Sequence, residues 1–193
     1  LVFPLPNCID CDDASWKPPL KPAKGEVVVG WAGSPTHLED FRIVTGPLER
    51  LCRRFPHVKV AIGGSEEVYG LLSGIPEERK VFLPPVGFRD YPALLSRFDI
   101  GLVPLLDNEF NRCKSDLKGL EYSCLGIPFL ASPLPSYVRL VREGENGFLC
   151  SHQRDWYGHL CRLVEKPEER KRMGVRARRL AERKMVDDVA FLW

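Results

Sequence analysis

The chain has 193 residues, 44 % hydrophobic and 28 % charged, with a net charge of +2, a composition suited to one domain with a full core. So small a positive excess gives no global footing for nucleic acid, and no apolar run reaches the roughly 20 residues of a membrane span. The start, Leu1-Val2-Phe3-Pro4-Leu5-Pro6, is too short, too proline-broken and too poor in basic residues for a signal peptide; lacking an initiator methionine, the sequence reads as a fragment or a processed piece.

Residues 1–25, rich in Pro, Asp and Lys and without periodicity, read as a hinge or linker arm. Seven scattered cysteines, an odd number, favour reduced thiols over a disulfide framework. Cys8-Ile9-Asp10-Cys11 has CxxC spacing, but no second close Cys or His pair completes a zinc set, so no metal site is expected.

From Glu26 short apolar runs alternate with longer amphipathic stretches. Val27–Trp31, Val58–Ile62, Val81–Leu83, Ile100–Val103, Pro128–Ala131 and Gly147–Cys150 suit strands buried on both faces. The first helix is expected from Thr36, with Glu39 completing a capping box, to Phe55-Pro56. Asp90 is placed to cap a helix through Leu94, Leu95 and Phe98. Further helices are expected over 114–125, from Ser136 to Val141, and over 153–164 and 168–184. The main domain then covers 26–184, with a helical tail at 185–193.

This pattern is α/β: a doubly wound, Rossmann-like parallel sheet of about six strands with helices on both faces. In the common strand order 3-2-1-4-5-6 the loops after the first and fourth strands diverge and open a crevice. Those loops are Trp31–His37 and Pro104–Ser115.

Gly30-Trp31-Ala32-Gly33-Ser34 is small enough for close ligand approach, though the GxGxxG spacing of a dinucleotide site is missing. Glu66 and Glu67, beyond Gly63-Gly64, read as solvated. His37 stands where an imidazole can donate to a phosphate or a sugar hydroxyl. Arg112 and Lys114 sit at the expected start of the 114–125 helix, a position unfavourable for cations unless an anion lies among them. Ser115 and the first-turn amides add donors. Lys114, Lys118 and Glu121, at i, i+4 and i+7, share one helical face. Glu121 lies among Leu120, Tyr122 and Leu125, where a carboxylate needs partners; ribose hydroxyls would supply them, and an ion pair with Lys118 is the structural alternative. The basic stretch from Arg170 to Lys184 reads as a solvated helix face, with contact to anionic lipid headgroups as the lesser reading.

Four segments in order resemble the carboxy-terminal, donor-binding half of GT-B glycosyltransferases of the family 4-like group (glycosyl transferases group 1). They are Pro6-Asn7-Cys8-Ile9-Asp10, Gly30–Ser34 with His37, Asn111–Glu121 continuing into Leu125–Ser132, and Gly144–Leu149. The resemblance implies that Glu121 holds the ribose of a nucleoside diphosphate sugar, UDP- or GDP-linked. It puts Gly33 and Ser34 by the diphosphate, Lys114 and Lys118 as its counter-charges, and Pro85-Val86-Gly87 beside the base. The common pattern has a second glutamate eight residues before Glu121; Cys113 stands there, so hexose contact would pass to Asn111 or Lys114.

Retaining, metal-independent hexosyl transfer to a polysaccharide or lipid-carrier acceptor is the implied activity. It needs no cofactor and depends on a missing amino-terminal acceptor domain, so this half is expected to be inactive alone. The implied setting is cytoplasmic, with peripheral contact at the inner membrane face as an extension. The alternatives are a non-catalytic nucleotide-sugar-binding or interaction module and a GT-B-like sugar-nucleotide epimerase.

Overall fold

The computed structural model describes residues 7–17 and 25–183. Six strands, β1 (Val27–Ala32), β2 (Val58–Gly63), β3 (Lys80–Leu83), β4 (Ile100–Val103), β5 (Phe129–Ala131) and β6 (Gly147–Leu149), form one sheet ordered β3-β2-β1-β4-β5-β6. Every pairing is parallel. The helices are α1 (Leu38–Arg54), α2 (Glu66–Gly70), α3 (Tyr91–Leu95), α4 (Glu109–Arg112), α5 (Leu117–Cys124), α6 (Pro135–Leu140), α7 (Gln153–Glu165) and α8 (Pro167–Glu182). This is the doubly wound α/β fold expected from the sequence.

Parallel strands read as continuous apolar runs because both faces are covered. Side chains alternate along each strand, so Val29, Trp31, Val60, Ile62, Ile100 and Leu102 meet Phe41, Val44 and Leu48 of α1 and Trp156 and Leu160 of α7. Ala32, Ala61, Leu83 and Val103 face the other layer, with Leu94 and Leu95 of α3, Leu120 of α5 and Tyr137 of α6. Gly30 also faces that layer, and a Cβ there would land in the Phe98 ring. Its smallness admits a core aromatic, not the ligand expected from the Gly-rich turn.

Local expectations fail where side chains choose nearer partners. The Thr36–Glu39 capping box does not form. Pro35 starts a 3-10 turn over Pro35–His37, α1 begins at Leu38, and His37 at its cap position makes no side-chain cap bond. Thr36 Oγ1 instead meets Ser34 Oγ at 2.6 Å, and Glu39 pairs with Arg42. The helix expected over 114–125 is split. Asn108 caps α4, which ends at Arg112, and α5 starts only at Leu117, after Asp116.

The described part of the arm is docked rather than loose. Ile9, Cys11 and Trp16 are buried in the second core layer, and Arg178 of α8 donates to the carbonyls of Cys11 and Cys124. Cys11 and Cys124 are joined by a disulfide, their Cα atoms 5.6 Å apart across 113 residues. This corrects the expectation of uniformly free thiols: Cys11 pairs with a residue distant in sequence, which a count and a CxxC spacing cannot reveal. The tail at 185–193 and the arm segments 1–6 and 18–24 lie outside the described residues.

Candidate functional site

The sheet order reverses between β1 and β4, where loops at the carboxyl ends of adjacent strands diverge. On the β1 side, the Gly33 amide donates to the Gly63 carbonyl at 3.0 Å. That amide is therefore spent on the fold and not on a phosphate; a Cβ on Gly33 would also strike the Trp31 ring. Ser34 is the exposed residue of this turn.

A residue that drew no attention in the sequence joins the two loops. Asp40, in the first turn of α1, is only 5 % exposed. Its Oδ1 accepts from the Leu106 amide and the Asn111 side-chain amide, both at 2.8 Å, and its Oδ2 lies 2.8 Å from His37 Nδ1. Burial alone would raise this carboxyl; the bonds from His37, Leu106 and Asn111 outweigh it and hold Asp40 below the usual carboxylate range. Asn111 is consequently a buried tie, 2 % exposed, donating also to the Leu106 carbonyl at 3.0 Å. Its amide nitrogen is committed to the loop and not to a hexose, against the role expected for it.

Lys114 follows α4 on a loop and does not belong to α5, so the shared helical face expected for Lys114, Lys118 and Glu121 holds only for the last two. Its Nζ lies 3.2 Å from His37 Nε2 and 4.8 Å from the Phe110 ring centroid. Among the described residues no carboxylate comes within ion-pair distance of it. Burial lowers its pKa from the ordinary lysine value, and the Asp40 charge opposes that shift. His37 thus faces Asp40 with one ring nitrogen and Lys114 with the other, which departs from the phosphate donor expected of it. Arg112 is spent outside the crevice, in a two-pronged pair with Asp107 that leaves both side chains about 60 % exposed. Ser115 is exposed, and Cys113 is exposed and free.

The second cluster joins α5 to the segment after β3. Lys118 Nζ donates to the Tyr91 hydroxyl at 2.6 Å and to Glu121 Oε2 at 3.3 Å, and Tyr91 donates to the same oxygen at 3.4 Å. Burial, followed by the Glu121 charge, pushes the Tyr91 phenol above its usual range, so it remains a donor. Lys118 therefore spends two of its three donors on the protein and serves Glu121 as much as any diphosphate. Glu121 Oε1 has no hydrogen-bond partner among the described residues. Val86 and Gly87 lie exposed in the loop leading to Tyr91. The first-turn amides of α5 carry no side-chain cap, since Asp116 makes none.

Two surface depressions, one lined by Lys59, Arg97 and Arg170 and the other by Ile127 and Arg178, lie away from this crevice and include none of these groups. Among the described residues, no three His, Cys, Asp or Glu side chains gather in a way that could hold a metal ion, and no helix is long and apolar enough to cross a membrane.

A sequence profile of the family described as Glycosyl transferases group 1 matches residues 26–166, well over half of the chain. The chain belongs to this family. No curated protein sequence matches it. Among solved structures, this group 1 chain is similar to Anabaena HepE in complex with UDP and glucose, at 18 % identity and a TM-score of 0.74, over 97 % of this chain and 53 % of that one. It is similar to Staphylococcus aureus TarM, solved as a mutant with fondaparinux, α-GlcNAc-glycerol and UDP, at 17 % identity and a TM-score of 0.78, over 99 % and 38 %. The C-terminal domain of the group 1 protein LpcC from Francisella tularensis matches at 14 % identity and a TM-score of 0.67, over 91 % and 97 %. The family member described here thus spans about half of HepE and has the fold of a GT-B half-domain.

Proposed function

We propose that this domain binds a nucleoside diphosphate sugar, UDP- or GDP-linked, as the donor half of a retaining, metal-independent hexosyltransferase. The observation that carries the reading is Lys114: a partly buried ammonium without a carboxylate partner among the described residues, held at the diverging carboxyl ends of β1 and β4. An anion in that gap would supply the missing charge. The diphosphate would lie between Ser34, Ser115, Lys114 and the uncapped start of α5. Glu121 Oε1 would accept from the ribose, and Val86 and Gly87 would flank the base. Lys114 and the α5 amides would stabilise negative charge on the departing diphosphate. The UDP complexes of HepE and TarM support the ligand class through the shared fold.

Transfer to a polysaccharide or lipid-carrier acceptor would need an acceptor domain, so this half alone should bind nucleotide without turnover. Membrane contact through the basic face of α8 is an extension of the same reading. Exposed Cys113, standing where the common pattern has a glutamate, favours the second reading, a nucleotide-sugar-binding module without catalysis.

Calorimetric titration with UDP and GDP tests the proposal. Saturable binding that weakens about tenfold or more in Lys114→Ala supports it. No binding at millimolar nucleotide refutes it.

A further inference from the structure

We infer that Asp40 is a positioning residue: it keeps the His37 proton on Nδ1, so that Nε2 is the acceptor fixing the Lys114 ammonium in the crevice. The inference deepens the proposed function and rests on it for the role of Lys114, but the proton placement stands on geometry alone.

A carboxylate without a proton only accepts hydrogen bonds, and an ammonium only donates them. With Asp40 Oδ2 at 2.8 Å, His37 Nδ1 must carry the hydrogen. With Lys114 Nζ at 3.2 Å, Nε2 must present its lone pair. One neutral tautomer meets both demands, and a second ring proton would point N–H at the ammonium. Asp40 cannot swing away, because Leu106 and Asn111 both grip its Oδ1 from the β4 side. Lys114 has no regular helix beneath it, and its backbone amide bonds only the Asn111 carbonyl at 3.1 Å. The same asparagine therefore braces Asp40 through its side chain and Lys114 through its backbone. Chain segments far apart in sequence thereby fix where the cation stands.

The decisive variant is Asp40→Asn. Its oxygen would stay with the two donors, Leu106 and Asn111, since the reverse orientation opposes an amide NH2 to both. Its NH2 would then face His37 Nδ1 and force the proton to Nε2, toward Lys114.

Two measurements follow. In two-bond proton–nitrogen spectra of protein carrying 15N-histidine, with the His37 signals identified by their absence in His37→Gln, wild type should show Nδ1–H and Asp40→Asn should show Nε2–H. A wild-type Nε2–H signal overturns the inference without any variant having to fold. Second, Asp40→Asn should weaken binding of UDP or GDP, whichever wild type prefers, about tenfold, and should have no further effect in a Lys114→Met background. An equal loss in both backgrounds would mean that Asp40 acts by holding the loops alone, and would sink the positioning role. If Lys114→Met leaves nucleotide binding unchanged, the proposed function falls with the Lys114 part, while the histidine spectra still decide whether Asp40 sets the tautomer.

Discussion

Replacing Glu121 by Ala deletes a carboxylate whose Oε2 receives Lys118 at 3.3 Å and Tyr91 at 3.4 Å, both longer than well-formed bonds. Oε1 is left for a ligand. A ribose hydroxyl donating to this ionised acceptor contributes about 1.5–3 kcal/mol, which is about 10- to 100-fold in Kd. The side chain is 13 % exposed, so water competes for it only weakly. The assay is titration of wild type and Glu121→Ala with UDP and 2′-deoxy-UDP. Wild type should prefer UDP by about tenfold, one hydroxyl's share at the lower bound, and the variant should bind both equally and more weakly. Because the comparison is between two ligands on one protein, general loosening of α5 cancels. If Glu121→Ala keeps the ribose preference, the hydroxyls are held elsewhere and the assignment is wrong.

Gly30→Ala should cost about 1–3 kcal/mol through overpacking against Phe98, lowering Tm by roughly 2–4 °C per kcal/mol; an unchanged melting curve would show that the ring has room to move. Trp156 is fully buried with its Nε1 unpartnered. Trp156→Ala should therefore cost about 3–5 kcal/mol, and Trp156→Phe clearly less, because it also removes an unsatisfied donor. Equal midpoint losses for the two in denaturant unfolding would show that Nε1 has found a partner.

The strand order was readable because burial on both faces writes itself as unbroken apolar runs, and because chain order restricts how such runs assemble. Cap chemistry was less readable. Thr36 and Glu39 have the spacing of a capping box, yet Pro35 committed the chain to a 3-10 turn and the Thr36 hydroxyl bonded Ser34. Asn108, not singled out in the sequence, captured the Asn111 amide and cut the expected helix in two. Asp40 was invisible for a different reason. An acid in the first turn of an amphipathic helix usually faces water and complements the helix dipole. Only the arrival of Leu106, 66 residues later, turns it into a buried acceptor. Tyr91 likewise looked like an ordinary helix-start aromatic until α5 brought Lys118 to its hydroxyl.

The pairing of β1 with β4 has a mechanical consequence. It rests on only two register pairs, Val29 with Ile100 and Gly30 with Gly101, whereas β1 and β2 share six. The sheet thus resembles a book whose spine is thinnest at the page where the crevice opens, with Asp40 as a stitch across the gutter. A molecule lodged there would touch both leaves, so its grip would be felt as stiffness of the whole binding, in amides far from any atom it meets.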